Sequence, residues 1–169
     1  EGGKSVILVD CDLRKPVLHK YLKLGQNVKG LTNVLSGEAK LEECGLYLKT
    51  MNISVLTAGT IPPNPSELLG LDRMQQVIDQ LKKSFDYVLL DAPPVSVVTD
   101  AAVLGRMADG ALLVIRSCFA PREAVQLAKR KLQDVDVKIF GAILTRYNMK
   151  KNHKNSGYSY SYSYNYYKE

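Results

Sequence analysis

The sequence predicts an α/β fold, a doubly wound and mainly parallel sheet flanked by helices, with a flexible C-terminal tail. Three observations predict it. Short β-branched and aliphatic runs recur along the chain, amphipathic helical patterns lie between them, and both stop at Lys150. Strand–helix alternation is the signature of parallel strands joined by crossover helices. The division that follows is an α/β domain over residues 1–149 and a tail over residues 150–169.

The strands read in order as Ser5 to Asp10, Ile53 to Thr57, Asp86 to Asp91, Gly110 to Arg116 and Lys138 to Leu144. Three of these runs are almost continuously apolar, which predicts strands covered on both faces. Residues Asp72 to Lys83 place Met74, Val77, Ile78 and Leu81 at helical spacing, with Asp72 in the N-cap position. Residues Pro121 to Gln133 open on a helix-compatible proline and put Ala124, Val125, Ala128 and Leu132 on one face.

The composition removes several classes. The 169 residues are 46% apolar and 24% charged, which suits one domain with a sizeable core. No apolar run reaches the length that spans a bilayer. Cys11, Cys44 and Cys118 are odd in number and scattered, so neither a disulfide framework nor a zinc site is expected. His19 and His153 have no evident co-ligands. The net charge is +6, but half of it comes from Lys150, Lys151, Lys154 and Lys168 against Glu169 in the tail. No nucleic-acid recognition motif accompanies that charge, so nucleic acid is not expected as a partner.

Ligands of doubly wound sheets bind beyond the carboxyl ends of the strands. The first strand ends in Asp10-Cys11-Asp12, two carboxylates two residues apart and therefore on one side of an extended chain. Two like charges so placed favour a bound metal or a basic partner. A second apolar strand ends in Asp91, within DYVLLDAPP. A carboxylate in that position suits Mg²⁺, which prefers oxygen ligands and keeps several waters. Caps of the following turns are the plainer reading of the same aspartates.

These residues carry a family resemblance over essentially the whole chain. ILVDCDLRKP resembles the Walker A′ motif of bacterial tyrosine kinases and YVLLDAPP their Walker B motif. IPPNPSELL (Ile61 to Leu69), VVTDAAVLGRMADGALLVIRS and the terminal tyrosine cluster are also similar to that family. The resemblance implies a P-loop-NTPase-like fold of the partition-ATPase branch. It implies a transferase, a protein-tyrosine autokinase using ATP and Mg²⁺ in capsular or extracellular polysaccharide synthesis and export. Asp10 would orient or accept the proton of the incoming tyrosine, and Asp12 and Asp91 would surround the metal. Arg14, Arg146 and Asn148 are the candidate nucleotide contacts; Arg14 and Lys15 read equally well as surface cations, and Asp100 as a helix cap. Thr145 stands where many relatives have Asn. The implied partners are a transmembrane activator, fused or separate, other copies of the chain in a ring, and a phosphotyrosine phosphatase. The implied location is the cytoplasmic face of the membrane.

Two features complete the reading. No G-x-x-x-x-G-K-[ST] is present: Glu1-Gly2-Gly3-Lys4-Ser5 lacks the leading glycine and runs into a strand, whereas a phosphate loop opens a helix. The expectation is a chain that lacks a central strand of its sheet, as a fragment or as a degenerate relative. Ten tyrosines are present, and six of them, Tyr158, Tyr160, Tyr162, Tyr164, Tyr166 and Tyr167, fall in the last twelve residues. Alternating with Ser, Gly and Asn, they read as phospho-acceptors on an extended tether; a sticky low-complexity segment is the alternative. A partition-type ATPase and a non-catalytic adaptor are the competing functions.

Overall fold

The structure is a computed structural model and describes residues 3–25 and 28–147. Six strands and seven helices alternate along the described residues. They are β1 (Val6–Asp10), α1 (Leu18–Tyr21), α2 (Leu31–Ser36), α3 (Leu41–Cys44), β2 (Leu46–Leu48), β3 (Ile53–Leu56), α4 (Pro65–Leu69), α5 (Asp72–Ser84), β4 (Tyr87–Asp91), α6 (Asp100–Gly105), β5 (Ala111–Arg116), α7 (Arg122–Gln133) and β6 (Ile139–Thr145). All five expected strands form. The short β2 is an addition and pairs antiparallel with β3.

The strands do not make one sheet. Four form a sheet in the order β2-β3-β1-β4, and β5 and β6 form a separate parallel pair. β1 lies inside the larger sheet, parallel to β3 on one side and β4 on the other. That position encloses it: Ile7 and Val9 are buried. The expectation of two covered faces fails for β4 and β5, where exposed residues alternate with half-buried ones, and for β6, where Ala142, Ile143 and Leu144 are exposed in succession. Their apolar runs are long enough for full burial, but in β4 and β5 only alternate residues are covered, and β6 is open on both faces over residues 142–144.

The helices use the faces their sequences offer. α5 buries Met74, Val77, Ile78 and Leu81. Each such side chain contributes roughly 1.5–3 kcal/mol when fully removed from water. The residue preceding the helix is Leu71, with no side-chain cap, so Asp72 is a first-turn residue and not the N-cap. Its charge still favours the helix N-terminus. α7 starts after Pro121 and buries Leu132, with Ala128 packed beside the Val95, Leu132 and Val137 cluster. The larger core gathers β1, α2, α4 and α5 around Val9, Leu13, Leu31, Leu56, Leu69 and Met74.

One close approach sets the path beyond β3. The amides of Leu31 and Thr32 donate to the carbonyls of Thr57 and Ala58, at 2.8 and 2.9 Å. A side chain at Gly30 would collide with the Thr57 carbonyl. Only a glycine lets α2 start directly against the end of β3.

A carboxylate cluster at the strand ends

The aspartates singled out in the sequence meet at the carboxyl end of the larger sheet. β1 and β4 run in parallel register, with Asp10 opposite Asp91. The amide of Cys11 donates to the Asp91 carbonyl at 2.8 Å and carries the pairing one step beyond the strands. Asp12 sits in the turn that follows. Its Oδ1 accepts the amides of Arg14 (3.2 Å) and Lys15 (3.0 Å), while its own amide donates to Asp10 Oδ1 at 3.2 Å. The plain reading of Asp12 as a turn cap is therefore also true of it.

Asp10 is the unusual member. It is 1% exposed, and its Oδ2 has no hydrogen-bond partner. Burial pushes its pKa up to about 6, with the Asp91 and Asp12 charges adding to the rise and the backbone amides of Asp12 and Leu18 opposing it. Asp91 is exposed as a residue, yet its carboxyl is desolvated enough to stand above its ordinary range, and the Asp12 charge raises it further. Three carboxylates thus share one corner, two of them held back from easy ionisation.

A second unpartnered atom belongs to the residue that follows β3. The β1–β3 register pairs Val9 with Leu56, so the next residues along the two strands are Asp10 and Thr57. Thr57 is 3% exposed and its Oγ1 has no partner. These are the buried side-chain polar atoms without a partner among the described residues, and they occupy neighbouring register positions.

The donor set fits Mg²⁺. It consists of hard carboxylate oxygens, of which Asp10 Oδ2 has no hydrogen-bond partner. Among the described residues no group of three or more His, Cys, Asp or Glu is arranged as an all-protein metal cage. Mg²⁺ needs none, since it takes one or two carboxylates and completes its shell with water and phosphate.

Arg14 is half-buried and paired. Its Nε donates to Asp100 Oδ2 at 2.8 Å, and its Nη2 donates to Asp100 Oδ1 at 3.1 Å and to Ser66 Oγ at 2.6 Å. Ser66 in turn donates to Asp100 Oδ1 at 2.7 Å. Asp100 is fully buried, and its pKa is lowered because the Arg14 and Ser66 hydrogen bonds outweigh the desolvation that opposes them. Asp100 makes no side-chain cap at α6, whose N-cap is Thr99. Its carboxylate is an anchor for Arg14.

The remaining candidates lie elsewhere. Arg146 follows β6 with a left-handed backbone (φ 52°) and is exposed. Thr145 Oγ1 donates to the Ile115 carbonyl at 3.3 Å. Lys4 pairs with Asp86 at 3.0 Å, and Ser5 N–H donates to Asp86 Oδ2 at 2.8 Å, both at the end of β1 opposite to Asp10. Gly3-Lys4-Ser5 is accordingly the approach to a strand, away from the carboxylates. Asn148 and the six tail tyrosines fall outside the described residues. The residues that sequence reasoning missed are Thr57, Ser66 and the anchoring role of Asp100. Ser66 and Asp100 both lie in motifs that carried the resemblance, but nothing local to either points to Arg14.

Comparisons with known proteins bear on the family and the fold. No protein-family profile matches the chain. It is 40% identical over 158 residues to the tyrosine-protein kinase YwqD of Bacillus subtilis, spanning 94% of this chain and 65% of that protein. The crystal structure of the VpsO kinase domain superposes with a TM-score of 0.82 at 31% identity, covering 86% of this chain and 72% of that one. MinD from Pyrococcus horikoshii, complexed with Mg-ADP, is more distant at 26% identity and TM-score 0.69, covering 86% of this chain and 59% of its own.

Proposed function

The chain belongs to the bacterial tyrosine-kinase family, and from that premise we propose that it is the catalytic portion of a protein-tyrosine autokinase. The phosphoryl donor is ATP, the metal Mg²⁺, and the acceptors are Tyr158, Tyr160, Tyr162, Tyr164, Tyr166 and Tyr167 of a neighbouring copy. The observation that carries the reading is Asp10: buried, opposite Asp91 in register, with one oxygen unpartnered.

A tyrosine hydroxyl has a reference pKa near 10 and is a poor nucleophile at neutral pH. Asp10, with a pKa of about 6, is largely ionised there yet basic enough to take up a proton. As the phenolic oxygen bonds to the γ-phosphorus, its proton passes to Asp10 Oδ2 and the bond to the ADP oxygen breaks. Asp12 and Asp91 are the residues that would hold Mg²⁺. When bound, the ion offsets charge on the transferring group. The phosphate cradle is not among these 169 residues, which contain no G-x-x-x-x-G-K-[ST].

The tail supplies a switch. Each phosphotyrosine adds about −1.5 to −2 charge at neutral pH, so four would offset the chain's net +6. An unmodified tail enters a neighbour's site and holds a ring together; a phosphorylated one is repelled by Asp10, Asp12 and Asp91. A transmembrane activator keeps this cycle at the cytoplasmic face of the membrane, a phosphatase resets it, and its output is polysaccharide synthesis and export. Among the described residues no helix is long and apolar enough to cross a membrane.

The test is an anti-phosphotyrosine blot of the full-length protein incubated with ATP and Mg²⁺. Asp10→Asn should lower the signal about 100-fold or more. Replacing the six tail tyrosines with Phe should abolish it while nucleotide binding persists. Labelling that survives the Phe substitutions would move the acceptors to internal sites such as Tyr21 or Tyr47. Undiminished labelling in Asp10→Asn would refute the assignment of the base.

A further inference from the structure

We propose that Asp100, acting through Arg14 and braced by Ser66, is a positioning residue for the Asp12 carboxylate and thereby for divalent-cation binding. The inference rests on the reading of Asp12 as a metal-side carboxylate given above.

The geometry is a strut. Arg14 joins two functions in one residue: its backbone amide donates to Asp12 Oδ1, and its guanidinium is fixed by Asp100 and Ser66. Whatever holds the guanidinium therefore holds the turn that aims Asp12. The three anchoring residues come from separate parts of the chain, the turn after β1, α4 and α6. Their hydrogen bonds close on one another, since Ser66 also donates to Asp100.

Stability alone is a weak reason for such an arrangement. A fully buried carboxylate must be desolvated, and a buried ion pair often contributes no more than well-packed apolar side chains would. What the pair does supply is a defined geometry. Arg14 presents a planar fork to the two oxygens of Asp100, at 2.8 and 3.1 Å, which fixes direction as well as distance. Residues that orient metal ligands from behind commonly change metal affinity by about 10- to 100-fold when lost. The strut also explains the serine of IPPNPSELL, which the phosphoryl-transfer scheme does not use.

The experiment measures Mn²⁺ binding to the full-length protein in the presence of ADP, by the electron paramagnetic resonance signal of free Mn²⁺, so that binding is read without turnover. Four proteins are compared: wild type, Asp12→Asn, Asp100→Asn and Ser66→Ala. Asp100→Asn should weaken Mn²⁺ affinity about tenfold. Ser66→Ala removes two hydrogen bonds without unpairing a charge and should weaken it about two- to threefold. A merely structural role would lower the number of sites and the melting temperature but leave the affinity of the folded fraction unchanged. Wild-type affinity in Asp100→Asn and Ser66→Ala, with weakened affinity in Asp12→Asn, overturns the strut alone. Wild-type affinity in Asp12→Asn overturns the metal-side reading and the strut with it. Should Asp100→Asn fail to fold, Ser66→Ala decides the matter by the same criterion.

Discussion

β1 and β5 carry similar sequences, VILVD and ALLVIR, yet one is enclosed and the other has a bare face. Around β1 sixteen buried apolar residues form a continuous core; beneath β5 and β6 there are three. Leu112 and Val114 of β5 are 53% and 68% exposed, whereas Val9 of β1 is at 0%. The difference lies in neighbours and not in composition. β1 has a parallel strand on each side, β5 on one. Enclosure has a chemical result, because a carboxylate ending an enclosed strand is stripped of water and shifted, as Asp10 is. The corresponding end of β5 holds Arg116, stacked on the Phe119 ring at 4.6 Å, a contact compatible with an open surface.

The comparison can be broken at several points, all on the full-length protein. The largest effect should come from the enclosed body: Leu56→Ala should lower unfolding free energy by about 3 kcal/mol in denaturant titrations. A loss below about 1 kcal/mol would mean that the core around β1 is loosely packed.

Asp10→Asn should act in the opposite sense. Raising a carboxyl from 3.8 to about 6 means that the folded protein binds the proton more tightly than the unfolded chain does. The ionised group therefore costs stability as pH rises through that window, and the cost is complete above it. With a chelator present, Asp10→Asn should gain up to about 3 kcal/mol at pH 8 and nothing below about pH 4. A gain that is the same at both pH values would contradict the burial of an ionising group.

Thr57→Val should gain about 1 kcal/mol, since it replaces a buried hydroxyl without a partner by a methyl of similar shape. If stability falls instead, the hydroxyl is satisfied in the full-length protein. The smallest change is expected in the open pair, where Val114→Ala should stay within about 0.5 kcal/mol. A loss matching that of Leu56→Ala would show the β5 face to be covered in the full-length protein, and the contrast between the two bodies would vanish.

Legibility in the sequence followed the range of the interaction. The five strands and helices α5 and α7 are written in local periodicity, and Met74, Val77, Ile78 and Leu81 bury as their spacing implies. Asp10, Asp12 and Asp91 were legible because a charged residue ending an apolar run stands out without any knowledge of its neighbours. Pairings were harder. β2 is three residues long, and its antiparallel partner is defined only once β3 is in place. The split between β4 and β5 leaves no local trace, since an apolar run does not reveal whether both of its faces will find cover. The Arg14–Asp100 pair joins positions 86 residues apart, and no spacing rule reaches that far. Arg14, which the sequence offers equally as a nucleotide contact or a surface cation, is half of an internal clamp.

That clamp also bears on the order of assembly. Its contacts span 52 and 86 residues, so it cannot close until the segment through α6 has been made and docked. Loop closure over such lengths is paid before the contact rewards it, which places the clamp late among folding events. During synthesis the Asp10–Asp12 turn emerges long before Asp100 does. A nascent chain would thus carry its aspartates for several seconds, at about 5–20 residues per second, before the turn is locked. Competence to hold a cation would then mark completion of the fold through α6, and not merely the presence of the motif.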